Sequence, residues 1–215
     1  MKHTSIDRKY KTPLGIVTCG LISDSTTIDF IENRTYQNGQ STVYKTSSHF
    51  IELIEFKIRI PLYDGKSVTD SQGWIWRITK LQEDSETIEL YCKLENTESE
   101  IEFDTATGEY LDAIEASTAD WVLHIGTEDG EVMNFRAKNS DWFPERLQNK
   151  VDFYQSITKM ERNGFTTNIP DLRLNEKLHI QYICAYDKNS EDIDKSSTWF
   201  AVDELKRELE SWISI

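Results

Sequence analysis

Apolar and polar residues alternate with a period of two over most of this chain. In residues 54–62, Ile54, Phe56, Ile58, Ile60 and Leu62 alternate with Glu55, Lys57, Arg59 and Pro61, which predicts a strand with one buried and one wet face. After Asp64-Gly65, Trp74, Trp76 and Ile78 alternate with Ile75, Arg77 and Thr79. Ile88, Leu90, Cys92 and Leu94 then alternate with Glu89, Tyr91, Lys93 and Glu95, adding two further strands. Shorter strands are expected at 15–22, 26–31, 42–46, 101–105 and 110–116, with Asn38-Gly39 and Thr107-Gly108 as turns.

Beyond Ser117 the pattern is mixed. Strands are expected at 121–126 and 132–137 around the turn Glu128-Asp129-Gly130, then a short capped helix at 141–149 and a strand at 151–157. A loop holding Asn163-Gly164 and Ile169-Pro170 leads to another alternating strand at 178–186. The last element, 203–214, reads as an amphipathic helix capped by Asp203, with Leu205, Leu209, Trp212 and Ile213 on one stripe. The predicted class is therefore α+β, dominated by antiparallel β-sheet, with a short helix near 141–149 and a C-terminal helix. One organisation is a β-meander domain at 1–116 followed by an α+β domain at 117–215; the alternative is a single domain.

Composition narrows the class. The 215 residues are 38% hydrophobic and 29% charged with 9 Gly and 4 Pro, which suits a packed globular fold. No apolar run approaches the roughly 20 residues of a membrane helix, and no apolar h-region follows Met1-Lys2-His3, so neither a membrane span nor a signal peptide is expected. Cys19, Cys92 and Cys184 are far apart and form no Cys-x-x-Cys pair, which predicts buried thiols in a reducing, bacterial-type cytoplasm.

Charge changes the picture more. Between Gln82 and Glu131 sixteen acids stand against Lys93 alone, so this segment carries −15 of a chain whose net charge is −14. The expectation is a negative face that recognises a basic protein, with Glu83, Asp84, Glu86, Glu98, Glu100, Glu102, Glu128 and Asp129 as partner-binding residues. An immunity or inhibitor protein that blocks a nuclease or toxin would use such a face, whereas direct nucleic-acid binding is disfavoured by phosphate repulsion. A merely solvated acidic surface is the plain alternative.

Motifs for catalysis are missing: there is no Gly-x-Ser-x-Gly, phosphate loop, dinucleotide glycine fingerprint or His-Glu-x-x-His. No catalytic residue, cofactor or metal ligand is assigned. His124 and His179, each on a predicted strand, would be the polar contacts of a small-molecule or catalytic cavity lined by aromatic residues. The segment starting at Asp187 offers calcium-loop oxygens at its first, third and fifth positions, but Asp192 and Thr198 stand where Gly and Glu are needed. A third possibility is a structural subunit whose C-terminal helix packs on another chain.

Overall fold

The computed structural model describes residues 4–58, 67–97, 100–152, 154–189 and 196–215, and thirteen strands and three α-helices organise these described residues. β1 (Thr4–Thr12) and β2 (Gly15–Ser23) form a hairpin, followed by β3 (Asp29–Tyr36), β4 (Gly39–Lys45), β5 (His49–Phe56), β6 (Asp70–Lys80) and β7 (Ile88–Glu95). Next come β8 (Glu102–Thr105), β9 (Leu111–Ser117), β10 (Trp121–Glu128), α1 (Gly130–Lys138) and a 3-10 turn (Glu145–Lys150). β11 (Thr158–Glu161), β12 (Gly164–Asn168), β13 (Lys177–Lys188), α2 (Ser196–Val202) and α3 (Lys206–Ile213) complete the chain.

Every pairing is antiparallel. The strands fall into a five-stranded sheet, β1-β2-β7-β12-β11, and an eight-stranded sheet, β3-β4-β5-β6-β13-β10-β9-β8. Alternation dictates how they stack. Ile51, Leu53, Trp74, Trp76, Ile78, Ile180 and Tyr182 point from the long sheet towards Val17, Cys19, Leu21, Leu90, Cys92 and Phe165 of the short one. The intervening Ile54, Phe56, Ile75, Leu111, Ala113, Ile183 and Ala185 point the other way, onto α2 and α3. The long sheet is thus the middle of three layers, and its central strands are apolar on both faces.

Pairing crosses Ser117 in both sheets: β6 runs along β13 from Asp70↔Tyr186 to Thr79↔Lys177, and β7 pairs with β12 from Glu89↔Asn168 to Lys93↔Gly164. The main apolar cluster likewise draws on both halves of the chain.

Several elements differ from the sequence reading. Residues 132–137 are helical, not extended: the Asp129 carboxylate accepts the Val132 N–H at 2.8 Å, Glu131 lies in the first turn, and Arg136 and Lys138 lie in the last. Val132, Met133, Arg136 and Ala137 are the buried side chains, a helical spacing that the short alternation concealed. The expected strand at 151–157 is absent among the described residues, because the Asp152 carboxylate accepts the N–H groups of Tyr154 and Gln155 at 2.7 and 2.9 Å and bends the chain there. The short helix is a 3-10 turn that starts only after Pro144, since Trp142 has a φ of 53°. Asp203 follows α2, and α3 begins instead from Leu205, which is 40% exposed while Leu209 and Ile213 are buried. The strand expected at 54–62 spans His49–Phe56, and residues 59–62 lie outside the described residues. The strand expected at 26–31 is shifted to Asp29–Tyr36, and β1, β11 and β12 have no counterpart among the expected strands.

Gly164 closes the β11–β12 turn at a φ of +156°, where an added Cβ would stand 2.0 Å from the Cys92 carbonyl oxygen. Both strain and collision are with backbone, so Gly164→Ala should cost at least about 2 kcal/mol. Urea unfolding of the two proteins measures this; equal midpoints would contradict it.

Candidate functional site

The structure disperses the acidic block. Glu83 and Asp84 follow the end of β6, whereas Glu102 faces Ser117, near the end of the sheet where β6 begins. That separation approaches the length of β6, about 36 Å at roughly 3.3 Å per residue. Glu83, Asp84, Glu100 and Glu102 are exposed and form no salt bridge among the described residues; Glu98 lies outside them. Asp129 is half-buried as the cap of α1. Asp112 lies close by, and burial, with the Asp129 charge adding to it, pushes its carboxyl up to about 6.

Two of the expected partner-binding acids face inward, because each has been enclosed by donors. Glu86 has a 2% exposed side chain. It accepts from the hydroxyls of Ser23, Thr46 and Ser48 at 2.6, 2.7 and 2.6 Å and from the Ser48 N–H at 3.1 Å, with His49 Nδ1 also 3.1 Å away. Burial opposes its charge, yet hydrogen bonds from His49, Ser23, Ser48 and Thr46 outweigh it and hold the carboxyl far below its ordinary 4.5. This cage ties the β2 end, the β4–β5 turn and the start of β7 together.

Glu128 ends β10 beneath α1. Its Oε2 takes Arg136 Nη1, and the same guanidinium donates to the carbonyls of Trp142 and His179 at 3.1 and 3.0 Å. Burial nevertheless raises the Glu128 carboxyl against the pull of Arg136 and Lys206, and its Oε1 has no hydrogen-bond partner among the described residues. Beside it, Lys206 Nζ bridges Asp141 and Glu210 at 2.8 and 2.9 Å, and Glu210 receives Arg77 Nη2 at 2.5 Å. This chain of alternating charges pins α3 to β6.

Above these groups opens a cleft of about 450 Å³ between α1 and α3, lined by Tyr110, Glu131, Val132, Phe135, Leu205 and Glu208 together with the paired charges. Tyr110, Phe135 and Leu205 are 43%, 66% and 40% exposed, so three of the large exposed apolar side chains gather on one rim. Exposed Glu131 and Glu208 of the lining, and exposed Glu109 beside Tyr110, form no salt bridge among the described residues, and Arg207 is the one exposed base in the lining. The apolar part is hidden in the sequence, because alternation puts Phe135 on a strand and helical spacing puts Leu205 on a buried stripe.

The two histidines do not converge. His124 lies opposite Ala185 on β13, six residues along the same strand face from His179, or about 20 Å. His124 Nδ1 is 2.9 Å from Thr198 Oγ1 and serves to dock α2, while burial lowers its pKa to about 4. His179 is fully buried with Nε2 3.2 Å from Gln181 Oε1, and burial, aided by Arg136, keeps it neutral. Neither lines the cleft. Most of the calcium-like loop, residues 190–195, lies outside the described residues. The three thiols are free and buried, no group of His, Cys, Asp and Glu able to hold a metal occurs among the described residues, and no helix there is long and apolar enough to cross a membrane.

Compared with known proteins, the chain matches no protein family, no curated protein and no solved structure.

Two outcomes follow from these buried charges. The lowered Glu86 pKa means that its stabilisation is complete above about pH 5 and is lost as pH falls below about 4.5. Glu86→Gln should therefore cost about 2–4 kcal/mol at pH 7 and flatten the acid limb of a stability-against-pH curve measured by urea unfolding. Arg136→Met should cost about 3–5 kcal/mol by leaving the Glu128 carboxyl buried without its ion-pair partner, and adding Glu128→Leu should restore most of the loss. A double variant no more stable than Arg136→Met would show that the pair is not the coupled unit.

Proposed function

We propose that this protein is a binding module that seats a basic protein partner on the cleft between α1 and α3. The observation that carries this reading is the coincidence of three exposed apolar side chains, Tyr110, Phe135 and Leu205, with the unpaired acids Glu109, Glu131 and Glu208 around them. An apolar centre with a charged, wet rim is the usual arrangement of a protein-binding patch, in which buried aromatic anchors supply affinity and the rim steers encounter.

The rest of the acidic block has a different part in this reading. Glu83, Asp84, Glu100 and Glu102 are distributed away from the cleft, where they lend long-range attraction to a basic partner without touching it. Glu86 and Glu128 are internal and contribute nothing to contact. A protein docked here would be occluded by the bulk of the sandwich, so steric inhibition of a basic nuclease or toxin is the form of activity favoured. The buried, unpaired thiols suit a reducing compartment such as the cytoplasm.

Capture from native cells at low ionic strength, followed by stepwise salt elution and mass spectrometry, tests this reading. A basic protein released as salt rises is expected. With that protein purified, Phe135→Ala should weaken the complex at least about tenfold. Glu109→Gln, Glu131→Gln and Glu208→Gln together should slow association and flatten its salt dependence, whereas neutralising Glu83, Asp84 and Glu102 should leave the contact-dependent off-rate unchanged. Failure to capture a basic protein, or indifference to Phe135→Ala, would overturn the proposal.

A further inference from the structure

β3 is the outermost strand of the eight-stranded sheet and pairs with β4 alone. Arg8 of β1 reaches across to Glu55 at 3.0 Å and to the Tyr44 hydroxyl at 2.7 Å, so the covering sheet extends over β5 and β4. Beyond them β3 overhangs: all residues from Asp29 to Thr35 are exposed, and Phe30 and Ile31 are 58% and 47% exposed. A strand wet on both faces, with an open row of backbone donors and acceptors, is a template for another strand.

Its sequence selects which one. Read antiparallel against itself about Asn33, Asp29-Phe30-Ile31-Glu32-Asn33-Arg34-Thr35-Tyr36 sets Glu32 opposite Arg34 and Arg34 opposite Glu32, while Thr35 meets Ile31. Opposite charges in directly facing positions favour pairing, and a one-residue slip removes both matches. The register break between Phe30 and Glu32 twists the edge and leaves a short regular stretch, which disfavours long or unrelated strands. Arg34 Nη2 already holds Glu32 Oε1 at 2.6 Å on the exposed surface, so both side chains are placed where a facing copy would meet them.

We infer that a second copy of this chain is the occupant of the β3 edge, joined by a two-fold axis at Asn33 that fuses the two eight-stranded sheets into one. The interface is isologous, so each copy uses up its β3 edge and assembly closes at two. The opposite edge resists extension by self-pairing. β8 carries Glu102 and Asp104, and Asp104 already faces Glu115, so self-association there would set acid against acid. This surface is separate from the cleft, and the two proposals stand or fall independently.

Sedimentation of the full chain across the micromolar range should give a dimer of twice the 25.1 kDa chain mass. Glu32→Arg and Arg34→Glu should each sediment as monomers, and mixing the two should restore the dimer, because all facing pairs become Arg against Glu. Circular dichroism confirms that each variant is folded. Should Arg34→Glu not fold beside Glu52, hydrogen exchange on the unmodified protein decides: protection of the β3 amides should rise with concentration. A monomer at every concentration, a dimer surviving Glu32→Arg, or β3 exchange indifferent to concentration would overturn the inference.

Discussion

The long sheet is apolar on both faces, and that constraint governs the rest of the molecule. Trp74, Trp76 and Ile78 need cover on one side of β6, and Ile75 with Ile54 and Ile183 needs cover on the other. One layer cannot serve both, so the five-stranded sheet closes the first face and α2 with α3 close the second. Strand number then fixes where exposure falls. Five strands and two short helices do not span eight, which leaves β3 outside the cover at one edge and β8 only partly beneath it at the other.

Internal charge follows from the same layering. α3 lies over a sheet face that carries Glu52 and Arg77 among its apolar residues, and these are tolerable under a helix only if they are paired. Glu210 and Lys206 of α3 provide the pairing and extend it to Asp141, while Arg136 gathers Glu128 and two carbonyls beneath α1. The cleft is therefore floored by charges already engaged with one another, Glu128 through Oε2, and its exposed acids are at the rim. That arrangement directs recognition outward, to the apolar side chains and acids above the floor.

The sheet-rich class was legible in the sequence because period-two alternation is a local signal. β6, β7 and β13 lie close to where Trp74, Ile88 and Leu178 begin their alternation. α1 was not legible: Val132 to Ala137 alternates as well as a strand does, and what favours helix is the Asp129 carboxylate on the Val132 N–H with the charges at the two ends. At Asp152 a side chain likewise competes with the backbone ladder and removes a strand. The candidate site was less readable than the fold. A carboxylate in a sequence looks the same whether it will be solvated, as Glu102 is, or enclosed by four hydroxyls and an imidazole, as Glu86 is. That difference depends on Ser23, Thr46, Ser47, Ser48 and His49, which are brought to Glu86 only by the topology.

The two uncovered edges solve the same physical problem in different ways. An open strand edge invites pairing, and β8 resists it through Glu102 and Asp104, whose charges would crowd those of any acidic neighbour, including another copy. About its central Asn33, β3 sets one acid and one base two residues apart, and such a pattern rejects a uniformly charged strand while matching its own reverse; its second acid, Asp29, falls opposite Gln37 in that register. A protein with a net charge of −14 repels its copies at long range, so close association needs a place where the charge is locally balanced. In the register about Asn33 neither Asp29 nor Glu32 meets another acid, so β3 is an edge where two copies can approach without setting carboxylate against carboxylate.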